Sequence, residues 1–84
     1  MNQSILFPDA ERWDEARQAI IFPAQVNGFQ VECLVSLDWL RRKYDAQTAA
    51  ECLASFRLHR WDIEDLMEQC IKHHDDFDGG YWLS

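Results

Sequence analysis

The sequence predicts an α+β fold: a small antiparallel sheet of three or four strands around a central Asn-Gly hairpin, packed against a long C-terminal helix or helix pair. Two observations carry this expectation. Asn27-Gly28 lies between two runs of alternating apolar residues, and both residues tolerate the positive φ that a type I′ turn requires. Thr48, with Glu51 three residues on, opens an amphipathic stretch as a capping box, hydroxyl and carboxylate each satisfying a free backbone N–H. A third observation sets the scale: 84 residues that are 48% hydrophobic, with four Trp and five Phe, make one folded domain over 1–84 and exclude a disordered chain.

Taken in order, residues 4–7 (Ser-Ile-Leu-Phe) read as a short strand stopped by Pro8-Asp9. Residues 9–17 are polar except for Trp13 and read as a long connection with room for one helical turn. The hairpin strands are expected over 18–26 and 29–36. A two-residue turn pairs Val26 with Phe29, Ala24 with Val31, Phe22 with Cys33 and Ile20 with Val35, so one face is apolar throughout. The other face carries Gln25 opposite Gln30 and Pro23 opposite Glu32, then Ile21 opposite Leu34: polar near the tip, apolar near the base. Pro23 falls at a non-hydrogen-bonded pair and discourages pairing on its outer side. The first strand is therefore expected near the hairpin's base or along the third strand.

Ser36 caps a short helix over 37–44, with Asp38 in its first turn and Arg41, Arg42 and Lys43 in its last, as the helix dipole favours. Over residues 48–76, Ala49, Cys52, Leu53, Phe56, Ile63, Leu66, Met67, Cys70 and Ile71 share one side when plotted at about 100° per residue. Three residues break this pattern. His59 and Arg60 fall on the apolar side, and Trp61 falls with Leu58 on the polar side. Either Asp62 with Asp65 starts a second helix near Trp61, or one continuous helix has two contact faces. Asp78-Gly79-Gly80 ends the helical region, and Tyr81-Trp82-Leu83 forms a last strand or a strap placed to cover Trp61 or Trp13.

The net charge of −7 argues against general nucleic-acid or anionic-membrane binding. The charge is uneven: seven carboxylates lie from Asp62 to Asp78, and Arg41, Arg42, Lys43, Arg57 and Arg60 lie before them. The three widely spaced cysteines, at positions expected to be apolar, read as reduced and buried in a cytoplasmic protein. The first residues show no charged region and no long apolar run, so neither a signal peptide nor a membrane span is expected.

Motifs for chemistry are sparse. Cys70, His73 and His74 open a run of potential metal ligands, but no paired Cys-x-x-Cys or His-Glu-x-x-His spacing supports a site, and no metal is expected. The three glycines compose no phosphate loop and no nucleophile elbow, so no cofactor is expected. His59 and Glu64 lie close enough in sequence for acid–base chemistry, or equally for a structural hydrogen bond. Arg57, His59, Arg60, Trp61 and Glu64 form the most distinctive constellation. Its functional reading is a binding surface, with Arg57 stacked on Trp61 four residues on; its structural reading buries Trp61 under Tyr81-Trp82 and ties His59 and Arg60 to the sheet or tail.

Phe7-Pro8, Trp13, Phe22-Pro23-Ala24 with Val26-Asn27-Gly28, the run Phe56-Arg57-x-His59-Arg60-Trp61-Asp62-Ile63-Glu64 and the closing Gly80-x-Trp82-Leu83 together resemble the short YrdB-like bacterial proteins, a small domain family of unknown function. The resemblance implies a stand-alone bacterial cytoplasmic domain and supplies no activity, cofactor or catalytic residue. The expectation is a non-enzymatic interaction module or homodimer using the Arg57–Trp61 region. The alternatives are a nucleic-acid-associated or regulatory protein using the five basic residues, and, third, a small enzyme built on His59 and Glu64.

Overall fold

A computed structural model describes residues 5–73, the backbone of 76–77, and residues 80–84. The hairpin forms as its pattern requires. β3 (Ala19–Val26) and β4 (Phe29–Ser36) pair in the register deduced from the turn, from Val26↔Phe29 to Ile20↔Val35. Asn27 and Gly28 take φ of 51° and 88°, the left-handed values of a type I′ turn. Five of the eight residues on the apolar face are buried; Phe29, at the tip, is exposed.

The sheet is larger than the expected three or four strands. Six strands run in the order β1-β3-β4-β6-β5, with β2 also on β3. β1 (Ile5–Leu6) pairs with Val26 and Gln25 at the hairpin tip, whereas the expected position was the base or the strand over 29–36. The base is taken by β2 (Arg12–Asp14), in the stretch read as a connection. Because β4 occupies the whole of one edge of β3, both short strands lie along the other, and Pro23 sits in the gap between them. The missing N–H of Pro23 thus splits this edge, as its position implied.

β6 (Gly80–Leu83) is a strand, but it runs parallel to β4, so the sheet is mixed and not wholly antiparallel. Three helices intervene between β4 and β6 and return the chain in the same direction. Gly80 permits the approach: an added Cβ would lie 2.7 Å from Leu34 Cδ1 and 3.3 Å from the Glu32 carbonyl oxygen. β5 (Asp76–Phe77) closes this edge against β6.

α1 (Leu37–Tyr44) is capped by Ser36, whose Oγ accepts from Trp39 N at 3.0 Å. α2 (Ala49–Leu58) is capped by Thr48, whose Oγ1 accepts from Glu51 N at 3.1 Å. Glu51 returns its carboxylate to Gln47 N, one residue before the cap (2.8 Å). α3 (Arg60–Lys72) follows after the single residue His59, so the region is two helices. The break precedes Trp61 and is not made by Asp62, which lies in the first turn of α3. His59 has φ −110° and ψ 27°, yet the i→i−4 bonds His59 N→Ser55 O and Ile63 N→His59 O continue across it.

Leu40, Cys52, Phe56, Ile63, Met67 and Ile71 pack on the sheet face formed by Ile20, Phe22, Ala24, Cys33 and Val35. On the reverse face Trp82 covers Ala19, Ile21 and Leu34. The tail therefore covers the back of the sheet, and it leaves Trp61 bare. No described helix is long and apolar enough to cross a membrane.

Candidate functional site at the helix junction

The α2–α3 junction is held by groups far away in sequence. Arg57 Nε donates to Glu11 Oε2 at 2.8 Å, and Arg60 Nη2 donates to Glu11 Oε1 at 2.7 Å. Glu11, just before β2, is thereby gripped at both oxygens by successive turns of the bent helix. The bonds to Arg57 and then Arg60 hold its carboxyl at a pKa of about 2. Arg60 is the more enclosed arginine, and its guanidinium lies 5.0 Å from the centre of the buried Phe56 ring. Its buried Nη1 lies 3.3 Å from Asp9 Oδ1 and 3.6 Å from Glu64 Oε2, aligned for a hydrogen bond with neither. Burial raises the Glu64 pKa, and the Arg60 charge only partly offsets it.

His59 lies flat against Tyr44 at the end of α1, with ring centroids 3.9 Å apart and planes 1° from parallel. The structural reading of His59 and Arg60 expected ties to the sheet or the tail. Both are fastened, but to α1 and to the Asp9–Glu11 loop, not to sheet or tail. His59 and Glu64 face different partners, Tyr44 and Arg60, and do not form the imagined acid–base pair. The expected stack of Arg57 on Trp61 is also replaced: Arg57 turns to Glu11, and the cation lying over a ring is Arg60.

Trp61 and Leu58 point outward, 83% and 78% exposed. Two open grooves flank the indole. One, of about 330 Å³, is lined by Arg57, Leu58, Arg60, Trp61 and Asp62. The other, of about 340 Å³, is lined by Phe7, Trp61, Glu64, Asp65 and Glu68. The first is rimmed by arginines and the second by carboxylates.

Of the alternative basic patch, Arg41, Arg42 and Lys43 are exposed in the last turn of α1, and Arg41 pairs with Asp38 at 3.4 Å. Arg57 shares Glu11 with Arg60, which also faces Asp9, so the five do not form one set of unpaired cations. Among the described residues no three His, Cys, Asp or Glu side chains converge as metal ligands. Cys70 is half-buried, His73 ends α3, and His74 lies outside the described residues. Cys33 is buried, which pushes its thiol up to about 12, far from a reactive thiolate.

Glu11 and Asp9 were not singled out from the sequence. The signal available was indirect: an arginine on the apolar side of a helix needs a carboxylate, but fifteen acidic residues offer no way to choose one.

A family model described as "Protein of unknown function (DUF1488)" matches residues 5–83. The chain is 45% identical over 84 residues to "Uncharacterized protein YrdB" of Escherichia coli (strain K12), with 99% of each chain covered. It is 44% identical over 84 residues to the protein of the same name from Shigella flexneri, again over 99% of each. A 1.60 Å crystal structure of a DUF1488-family protein of unknown function from Shewanella loihica PV-4 matches with a TM-score of 0.89 at 30% identity, covering 99% of this chain and 94% of that chain.

Proposed function

The chain belongs to the DUF1488 family, which brings no activity with membership, and we propose from its geometry that it is a non-enzymatic protein-interaction domain whose contact surface is the outward side of the α2–α3 junction. The observation that carries this is the pair of exposed apolar residues, Trp61 and Leu58, standing on a junction whose inner side is fastened at Glu11 and Tyr44. An exposed tryptophan flanked by arginine on a pre-organised backbone has the composition of an interface hot spot. The same reading is of a cytoplasmic protein, in keeping with the buried thiols of Cys33 and Cys52.

The nucleic-acid alternative has less support, since three of its five cations are already paired and the chain carries a net charge of −7.

The test is photo-crosslinking in living bacteria, with a benzophenone amino acid in place of Leu58 or of Gln30, an exposed residue on the reverse face of the sheet. Position 58 is expected to trap a protein, whether another copy or a different chain, and position 30 is not. Equal yields from both positions would remove the junction as a contact surface.

A further inference from the structure

Resting on that reading of the junction, we propose that its partner is a second copy of this chain, bound antiparallel about a two-fold axis at Trp61. The order of charges along the outward side supports this pairing. Ala54, Arg57, Leu58, Trp61, Asp62 and Asp65 are all exposed, and Glu68 follows one turn later. Arg57 stands four residues before Trp61, and Asp65 stands four after it. In a two-fold interface centred on Trp61, each position before the axis faces the position equally far beyond it in the other copy. Arg57 then meets Asp65 twice, once on each side of the axis, and Glu68 meets the small Ala54. A parallel alignment would set Arg57 against Arg57 and Asp65 against Asp65, which like-charge repulsion disfavours.

The grooves agree with this arrangement. The arginine-rimmed groove on one side of the indole and the carboxylate-rimmed groove on the other are laid upon each other by the same rotation. Arg57 is pre-positioned by its Nε bond to Glu11, and its side chain is still 58% exposed. Among the described residues no ion pair occupies Asp65, so this carboxylate is available to a partner. Trp61 meets its own counterpart at the axis, the centre where burial counts most, with the exposed Leu58 one turn away.

The experiment is sedimentation equilibrium of the purified full chain across the micromolar range, with circular dichroism on each variant. The wild type is expected to dimerise. Trp61→Ala should raise the dimer Kd at least about tenfold. Asp65→Arg and Arg57→Glu should each weaken the dimer, and the double variant, with the charges exchanged, should bring the Kd back to within about threefold of wild type. Because Arg57→Glu also breaks the bond to Glu11 and risks misfolding, Trp61→Cys in a Cys70→Ser background supplies a second reading. Thiols at the axis meet each other, so oxidation with copper–phenanthroline and dissolved oxygen should give a disulfide-linked dimer, whereas Gln30→Cys should stay monomeric. A monomeric wild type, or a folded charge-exchanged double variant no better than its singles, overturns the two-fold pairing. If position 58 nevertheless crosslinks to a different protein, the contact surface survives and only self-association falls; if it crosslinks to nothing, both fall.

Discussion

The four residues of the α2–α3 junction divide into two pairs with opposite surroundings. His59 and Arg60 turn inward, one flat against Tyr44, the other above Phe56 with Glu11 at its edge. Leu58 and Trp61 turn outward into solvent. The usual amphipathic order is reversed here, polar inside and apolar outside, in a helix pair that otherwise keeps Phe56, Ile63, Met67 and Ile71 in the core. The inward pair can be polar because its partners are supplied: two ring faces and the carboxylates of Asp9, Glu11 and Glu64. Among the described residues nothing covers the outward pair. Polar residues therefore fasten the bend, and the apolar ones they displace form a surface. A fully buried apolar side chain of this size is worth about 2 kcal/mol, which an interface at Trp61 would recover.

This contrast implies that damage to the inward pair reads out as stability and damage to the outward pair as association. The largest loss of stability is expected for Arg60→Ala. It leaves Glu64, Asp9 and half of Glu11 without their cation and removes the group over Phe56, for a cost of about 2–4 kcal/mol in urea unfolding. Arg60→Lys should recover only part of this, since an ammonium cannot hold Glu11 and reach Asp9 and Glu64 with one planar fork. A change under about 0.5 kcal/mol for Arg60→Ala would mean that the inward fastening contributes no more than an ordinary surface residue.

Acid should act on the same fastening. The Glu11 pKa falls from the ordinary 4.5 to about 2 on folding, so its contribution is complete above about 4.5 and is lost as pH falls toward 2. Allowing for the exposed Arg57, roughly 2–3 kcal/mol is at stake. Glu64 works in the opposite sense: its raised pKa makes its charged form a cost at neutral pH, relieved on protonation. Wild type should therefore lose stability between about pH 4.5 and 2, and Glu11→Gln should start lower and show a shallower fall over the same window. Parallel curves for the two proteins would assign the acid sensitivity elsewhere.

The hairpin and the helix starts were legible in the sequence because they are local. Asn27-Gly28 sets the β3–β4 register by itself, and Ser36 and Thr48 cap the helices they begin. The composition of the junction was legible too, since His59, Arg60 and Trp61 stand out against a 3.6-residue period. What they touch was not legible, because Glu11 lies 46 and 49 residues from its two arginines and nothing near it marks it. The short strands were hidden for a different reason: three residues at Arg12–Asp14 and two at Asp76–Phe77 are too few to display alternation. The direction of β6 depends on how the three preceding helices return the chain, a property of the whole fold.

Replacing His59 by Ala tests the weaker of the two inward fastenings. The stack on Tyr44 is a partly exposed aromatic contact, so its removal should cost about 1 kcal/mol. Phe at this position should retain most of the stability, because the flat stack on Tyr44 is the interaction at issue.

The smallest intrinsic effect is expected for Trp61→Ala, and it divides the two sides of the junction most sharply. At 83% exposure the indole loses little by truncation, so unfolding of dilute protein should change by no more than about 0.5 kcal/mol. At high concentration the result should differ. Two-fold pairing links unfolding to dissociation, so the wild-type Tm should rise as protein is concentrated, and the Trp61→Ala Tm should stay flat. Arg60→Ala should behave in the reverse way, losing stability at every concentration because its partners belong to its own chain. A Trp61→Ala protein that is strongly destabilised even when dilute would show the indole to be part of the domain's own packing, and the distinction between a fastened inner side and a free outer side would no longer hold.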